Sequence, residues 1–266
     1  MHLSLLPVIA PVLLTVAATQ TPDLPKPLDR AHAHNDYMHK RPLLDALDCG
    51  FCSVEADIHL VDGALLVAHD RDQCEPERTI EALYLDPLRA RAKAYDGRIY
   101  PKGPQVTLLI DIKSDAEKTY AALHKVLESY ADIMTEFRGD EVTQRAVMAL
   151  ISGNRPVKVI TAQPVRYAAI DGRPPDLVRN PPANLVPLVS SSWTALFTWN
   201  GRGDMPQADQ EKLADFVKQA HDQGRRIRFW SLPWSGQVWP KLYEAGVDLL
   251  NADNLRGMQK FLLEQD

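Results

Sequence analysis

An α/β fold of the single (β/α)8 TIM-barrel type is what the sequence predicts, on three observations. Short apolar runs alternate with amphipathic stretches from about residue 30 onward, and that alternation implies a parallel sheet with crossover helices. Eight principal strand candidates fall within about 240 residues, close to the roughly 250 usual for such a barrel. No glycine-rich phosphate loop follows an early strand, which disfavours the rival doubly wound sheet.

Taken in order, the chain opens with MHLSLLPVIAPVLLTVAATQ, apolar from Leu3 to Ala18, free of acidic groups and ending in small side chains. That is the pattern of a secretory signal cleaved near Ala18, while Pro7, Pro11 and the short apolar length argue against a membrane anchor or a buried helix. The expectation is a signal peptide over residues 1–20, an extended lead-in over 21–28, a barrel domain over 29–266, and a secreted or periplasmic protein. The expected strands are Arg30–His34, Ser53–His59 (with Leu65–His69 close behind), Val106–Lys113, Ala146–Ile151, Tyr167–Ile170, Leu185–Val189, Ile227–Ser231 and Val247–Asn251. Helices are expected over Pro42–Leu47, Thr79–Ala94, Asp115–Phe137, Gln207–Gln223 and Gln237–Ala245. Ser114 and Asp115 serve as caps for the third of these and Gly224 terminates the fourth. The stretch Asp171–Asn184, rich in Pro, Arg and Gly, reads as a long loop.

Composition narrows the functional classes. Hydrophobic residues make up 45% and charged residues 24% of the chain, an ordinary globular balance. The net charge is -5 with no long basic run, so nucleic acid is a poor partner, since phosphate-backbone affinity needs clustered Lys and Arg. Of the three cysteines, Cys49 and Cys52 have redox or zinc spacing, but no second CxxC exists, so they read as small buried residues. In an exported protein, one disulfide and one free thiol, Cys74 included, remain compatible with the sequence.

The chemistry-bearing residues gather at strand ends. In VEADIHL, strand alternation puts Glu55, Asp57 and His59 on one face and Val54, Ala56, Ile58 and Leu60 on the other. Carboxylates facing a barrel interior are costly unless paired or metal-bound, and hard oxygen ligands suit Mg²⁺ or Ca²⁺. A wet antiparallel face is the bland reading. In VTLLIDIKSD, Asp111 and Lys113 share a face at the end of an apolar strand, where such barrels build active sites; a structural Asp–Lys pair is the alternative. AHAHNDY supplies His32, His34, Asn35 and Asp36, and ALLVAHD supplies His69 and Asp70. Histidine acts as nucleophile, acid or base near neutral pH. Alternation puts His32 and His34 on one face and does not choose between them, and Asn35 and Asp36 read equally as substrate contacts or as loop caps. In SGNRP, Arg155 could pair with a phosphate, but Ser152 and Asn154 as helix caps is the better reading.

These residues together resemble the glycerophosphodiester phosphodiesterase superfamily, also called phosphatidylinositol phospholipase C-like phosphodiesterases, from about residue 30 to residue 256. Its early His, Glu-x-Asp, His-Asp and acid-x-Lys match His32, Glu55 with Asp57, His69 with Asp70, and Asp111 with Lys113. FWSLPW and GVDLLNADNL resemble its last strands. The HAHNDY wording is similar to a branch named after altered inheritance of mitochondria, and His32-x-x-Asn35 with IDIK resembles the sphingomyelinase D branch. The resemblance implies one Mg²⁺, or Ca²⁺, held by Glu55, Asp57 and Asp111. It implies His32 and His69 as the catalytic pair, with Lys113, Trp230, His34 and Asn35 toward substrate. The implied function is cleavage of a small-molecule or lipid phosphodiester, with peripheral membrane contact. His-Arg-Gly and Glu-Asn-Thr are absent, Asn251-Ala-Asp253 replaces Thr-Asp, and Pro233 stands where the sphingomyelinase D branch has an acid. Asp36 or Asp253 is then left to orient the first histidine. The alternative is a non-catalytic barrel that stacks a sugar or phosphate-bearing ligand on Trp193, Trp199, Trp230 and Trp234 near Arg202.

Overall fold

The computed structural model describes residues 24–265. The expected signal peptide lies outside the described residues. Among the described residues, eleven strands form in chain order: β1 Leu28–Ala33, β2 Phe51–Val61, β3 Ala64–Val67, β4 Val106–Ile112, β5 Glu136–Arg138, β6 Glu141–Thr143, β7 Val147–Gly153, β8 Ala168–Gly172, β9 Leu188–Ser192, β10 Arg226–Trp230 and β11 Leu249–Ala252. Eight of them run parallel in the ring β1-β2-β4-β7-β8-β9-β10-β11, and β1 closes it by pairing with both β2 and β11. The fold is the expected (β/α)8 barrel. β3 folds back antiparallel on β2 outside the ring.

Strand alternation sorts the two faces of the ring. Val54, Ala56 and Ile58 of β2 are fully buried against the helix layer, in one large core with Leu108, Ile110 and Ile151. The opposite face fills the barrel. Its lower part is a small apolar cluster of Leu109, Leu150, Ala169, Leu188 and Leu249, sealed by Phe137. Two residues further along each of those five strands the inward side chain becomes polar: Asp111, Ser152, Asp171, Ser190 and Asn251. Register keeps the change level from β4 to β7, where Leu109 pairs with Leu150 and Asp111 with Ser152, and on β2 Asp57 pairs with Asp111 and Glu55 with Leu109. The C-terminal half of the barrel is therefore a polar chamber over an apolar floor, where this fold places its chemistry.

Several elements differ from expectation. The helix expected over Asp115–Phe137 runs only from Ala116 to Ser129, capped as foreseen by Asp115, whose side chain accepts from the Lys118 N–H. Its last residues instead turn at Gly139 (φ +60°) into the β5–β6 hairpin that carries Phe137 to the floor. Asp171–Asn184 is not one long loop. Asp171 and Gly172 end β8, and Pro174–Arg179 is a helix that Pro174 starts rather than breaks, since its missing N–H falls where no intrahelical bond is due. Ser152 and Asn154 cap no helix; they bond to Asp171 and to the Lys113 and Ser114 carbonyls. The three cysteines form no disulfide, and Cys49 and Cys52 are buried in the core. Trp193 and Trp199 are also core residues, packed edge-on 6.3 Å apart and out of reach of any ligand.

Candidate active site

A cavity of about 510 Å³ opens at the C-terminal end of the barrel. His34, Asn35, Glu55, His69, Asp111, Lys113, Arg173, Arg228 and Trp230 contribute to its lining. Most of the residues singled out in the sequence thus converge here from five different strands or strand ends.

The acidic group is compact. One carboxylate oxygen from each of Glu55, Asp57 and Asp111 lies within 4.8 Å of the other two. Burial pushes Asp57 above the ordinary carboxylate range, with the negative Glu55 adding to it and Lys113 opposing. Burial likewise raises Asp111, to about 6, although Lys113 works against it. The Lys113 ammonium sits 3.1 Å from Asp57 Oδ2 and 3.3 Å from Asp111 Oδ1; burial disfavours its charge but the two carboxylates hold its pKa up. Asp57 Oδ1 is buried and accepts no hydrogen bond, and the buried Asp111 Oδ1 has only the Lys113 ammonium beside it. Three converging carboxylates with an unpartnered buried oxygen among them, spaced for common ligation at about 2.0–2.6 Å each, fit a hard divalent cation. Gly153 makes room for this: at φ +63° a Cβ there would stand 2.0 Å from Asp111 Oδ1.

Glu55 is held from below. Arg228 donates to its Oε2 at 2.6 Å and, through Nε, to Asn251 at 2.7 Å. Burial opposes the charge on Glu55, but Arg228 and the hydrogen bond from His32 outweigh it and keep the carboxyl well below its usual range. His32 is the surprise. Where the resemblance points to it as the histidine facing substrate, it is fully buried, with Nδ1 2.7 Å from Ser53 Oγ and Nε2 3.2 Å from Glu55 Oε2. Burial, and the positive Arg228, lower its pKa to about 4. A neutral ring whose Nε2–H donates to the carboxylate and whose Nδ1 accepts from the hydroxyl satisfies both contacts. The two-residue shift in β1–β2 register between Leu28 and His32 brings His32 level with Ser53, which is invisible to alternation alone.

His34 and His69 are the histidines that line the cavity. His34 Nδ1 lies 2.8 Å from Asp253 Oδ1, and His69 Nδ1 lies 3.0 Å from Asp57 Oδ2. A carboxylate only accepts, so each Nδ1 is the donor in that contact, which leaves each Nε2 available to a ligand. Asp253, one of the two acids considered for orienting the first histidine, takes that part, but toward His34. The other, Asp36, is buried and anchors the loop by accepting from the Leu43 N–H and the Tyr84 hydroxyl. Asn35 starts that loop in the left-handed region (φ 50°), a conformation asparagine tolerates.

Sequence reasoning missed Arg228, Arg173 and Tyr37. The first was detectable: in RIRFW, alternation puts Arg226, Arg228 and Trp230 on one face, the argument already applied to Glu55 and Asp57. Arg173 is held by Asp171 at 2.7 Å and Ser152 at 3.1 Å while staying part-exposed to the cavity. The Tyr37 hydroxyl lies 2.7 Å from Asp57 Oδ2 and 3.1 Å from His69 Nδ1; burial and Asp57 raise its pKa, so it stays a donor.

Known proteins give this arrangement a context. A family described as the AIM6-like phosphodiesterase domain matches residues 26–170. Altered inheritance of mitochondria protein 6 from Eremothecium gossypii is 31% identical over 283 residues, covering 93% of this chain and 72% of that protein. A homolog of it from Arthroderma benhamiae is 26% identical over 264 residues, 86% of this chain and 82% of its own. Among solved structures, a glycerophosphodiester phosphodiesterase from Parabacteroides distasonis superposes with a TM-score of 0.57 at 16% identity, covering 90% of this chain and 99% of that one, a likeness of fold.

Proposed function

Since the chain belongs to the family of AIM6-like phosphodiesterase domains, we propose that it is a divalent-metal-dependent phosphoric diester hydrolase or lyase acting on glycerophosphodiesters or phospholipid headgroups. The observation that carries this is the meeting of three carboxylates, two rim histidines and two part-exposed cations, Lys113 and Arg173, in one cavity. A carboxylate triad of this kind is destabilising by itself, through burial and like charge, and becomes favourable around a cation.

Glu55, Asp57 and Asp111 would hold Mg²⁺ or Ca²⁺, which offsets charge on the phosphate oxygens when bound. The protein's own groups do the rest. Lys113 and Arg173 bind and orient the non-bridging oxygens, Arg173 through a fork already fixed by Asp171 and Ser152. One of the Nε2 atoms of His34 and His69 takes the proton from the attacking oxygen as it bonds to phosphorus. The other gives a proton to the departing oxygen as its P–O bond breaks. Water as attacker yields a monoester; a neighbouring substrate hydroxyl yields a cyclic phosphate. His32 positions Glu55 and touches no substrate. Trp230, part-exposed in the lining, forms an apolar wall for the diester's organic group.

A panel of glycerophosphocholine, lysophosphatidylcholine, sphingomyelin and phosphatidylinositol, assayed with Mg²⁺ and with EDTA, tests the proposal, and phosphorus NMR of the products identifies the attacker. EDTA is expected to abolish cleavage and Mg²⁺ to restore it. Undiminished cleavage in EDTA would remove the metal from the mechanism, and no cleavage of any diester would leave a binding barrel.

A further inference from the structure

Beside the catalytic cavity lies a second one, of about 360 Å³, and His34 lines both. Its walls are Leu232, Pro233, Trp234, Val238, Trp239 and Ala252. The volume is in the range of small-molecule sites. The loop that builds it is pinned in place. Ser231, just after β10, adopts φ +51°, which turns the chain out of the strand. Ser235 donates its hydroxyl proton to the Gly201 carbonyl at 2.5 Å, and Gly201 packs so closely that a Cβ would meet Ser235 at 2.8 Å and Pro233 at 3.0 Å.

Several of the polar groups around this cavity are already engaged. The Asn251 side chain accepts from Arg228, Asn254 accepts from the Gly257 N–H, Trp239 donates its indole N–H to the Asn251 carbonyl, and His34 pairs with Asp253. Against walls that are mainly apolar side chains, a polyol would leave hydroxyls without partners, at a cost that apolar groups do not incur. At the lip, Trp234 is 95% exposed, a large apolar side chain with nothing over it. An apolar chamber that shares the wall of the catalytic cavity, with an uncovered indole at its edge, fits the hydrocarbon part of the molecule whose phosphate lies next door.

We propose that this cavity receives the alkyl or acyl chain of a single-chain phosphodiester amphiphile, so that the enzyme's substrates are lysophospholipid-like diesters rather than fully water-soluble ones. The assignment rests on the phosphodiesterase reading above. The test uses alkylphosphocholines of increasing chain length below their micellar concentrations, with phosphocholine as the chainless reference. Binding is followed by tryptophan fluorescence in EDTA, which needs no turnover, and cleavage is followed separately with Mg²⁺. Affinity should rise with each added methylene, by up to about fourfold per group, and level off once the cavity is full.

Two variants localise the effect. Gly236→Trp adds bulk at the wall, where a Cβ meets open space, and Trp234→Ala removes the exposed lip. Both should flatten the chain-length dependence while phosphocholine binding and the folded circular dichroism spectrum stay unchanged. Affinity independent of chain length, or a dependence that both variants leave intact, overturns the assignment. Cleavage of diesters without chain dependence overturns it alone. Chain-dependent binding with no diester cleaved sustains the cavity's role and overturns the phosphodiesterase reading instead.

Discussion

The chamber has a base and a rim, and the two are built on opposite terms. In the base, His32, Ser53, Glu55, Arg228 and Asn251 are all buried, and they hydrogen-bond chiefly to one another. Each polar atom in that chain that carries charge has a counterpart. At the rim, His34 and His69 are part-exposed, each with one nitrogen fixed, while Asp57 keeps an oxygen that accepts nothing and Asp111 Oδ1 has only the Lys113 ammonium. Satisfied polar groups hold a shape; unsatisfied ones wait for a ligand. Two histidines only two residues apart, His32 and His34, thus fall on different sides of a division between a buried, paired base and a part-exposed rim.

The rim variants should show the largest effect. His34→Ala and His69→Ala are each expected to lower kcat by about 10²–10⁴-fold, the usual yield of a positioned proton-transfer group, with a melting temperature near wild type. His32→Ala is expected to do the reverse in proportion, losing stability by about 1–3 kcal/mol from unpaired Ser53 and Glu55 atoms and reducing activity less than His34→Ala does. Steady-state kinetics and thermal melts of the three variants side by side check this. A larger kinetic loss at His32 than at His34 would erase the distinction between base and rim.

Arg228→Met comes next, because it strips the counter-ion from a buried carboxylate. Breaking one side of a buried pair costs about 3–5 kcal/mol. Replacing both sides, as Arg228→Met with Glu55→Leu, is expected to recover much of that stability while abolishing metal binding, read by calorimetric Mg²⁺ titration. If the double variant is no more stable than the single one, Glu55 does not depend on Arg228 for its charge.

The rim was far more legible in the sequence than the base. Strand-end polar residues break an apolar run, so Asp57, Asp111, Lys113 and His69 announce themselves by contrast with the apolar residues of VEADIHL, VTLLIDIK and ALLVAHD. The eight strands were readable for the same reason. The base was not, because its meaning lies in pairing across the barrel: Arg228 meets Glu55 from 173 residues away, and His32 meets Ser53 only through a register shift. Local pattern reports which face a residue occupies and is silent on what it meets there. The helix at Pro174–Arg179 failed for a related reason, since proline stops a helix or starts one depending on which residue comes first.

The smallest expected effect concerns the hinge between the two zones, Asp36. It directly follows His34 and Asn35, it is fully buried, and Oδ2 accepts from the Leu43 N–H and the Tyr84 hydroxyl while Oδ1 accepts nothing. Burial lifts its pKa to about 7, against which those two hydrogen bonds pull. A folded-state pKa above the unfolded value of about 3.9 means that the folded chain binds the extra proton between them. Its contribution is fully present below about pH 4 and is lost as pH rises toward about 7, at no more than about 1.4 kcal/mol per pH unit. Asp57 and Asp111 titrate in the same direction, so wild type alone does not isolate Asp36. The informative quantity is the stability of Asp36→Asn minus that of wild type, because the amide oxygen keeps both hydrogen bonds and removes only the charge. That difference should grow from about pH 4 to about pH 7 and then stay level. A difference that is flat across the range would mean Asp36 is already ionised in the folded loop, and the segment that aims His34 would then belong with the unsatisfied rim rather than with the base.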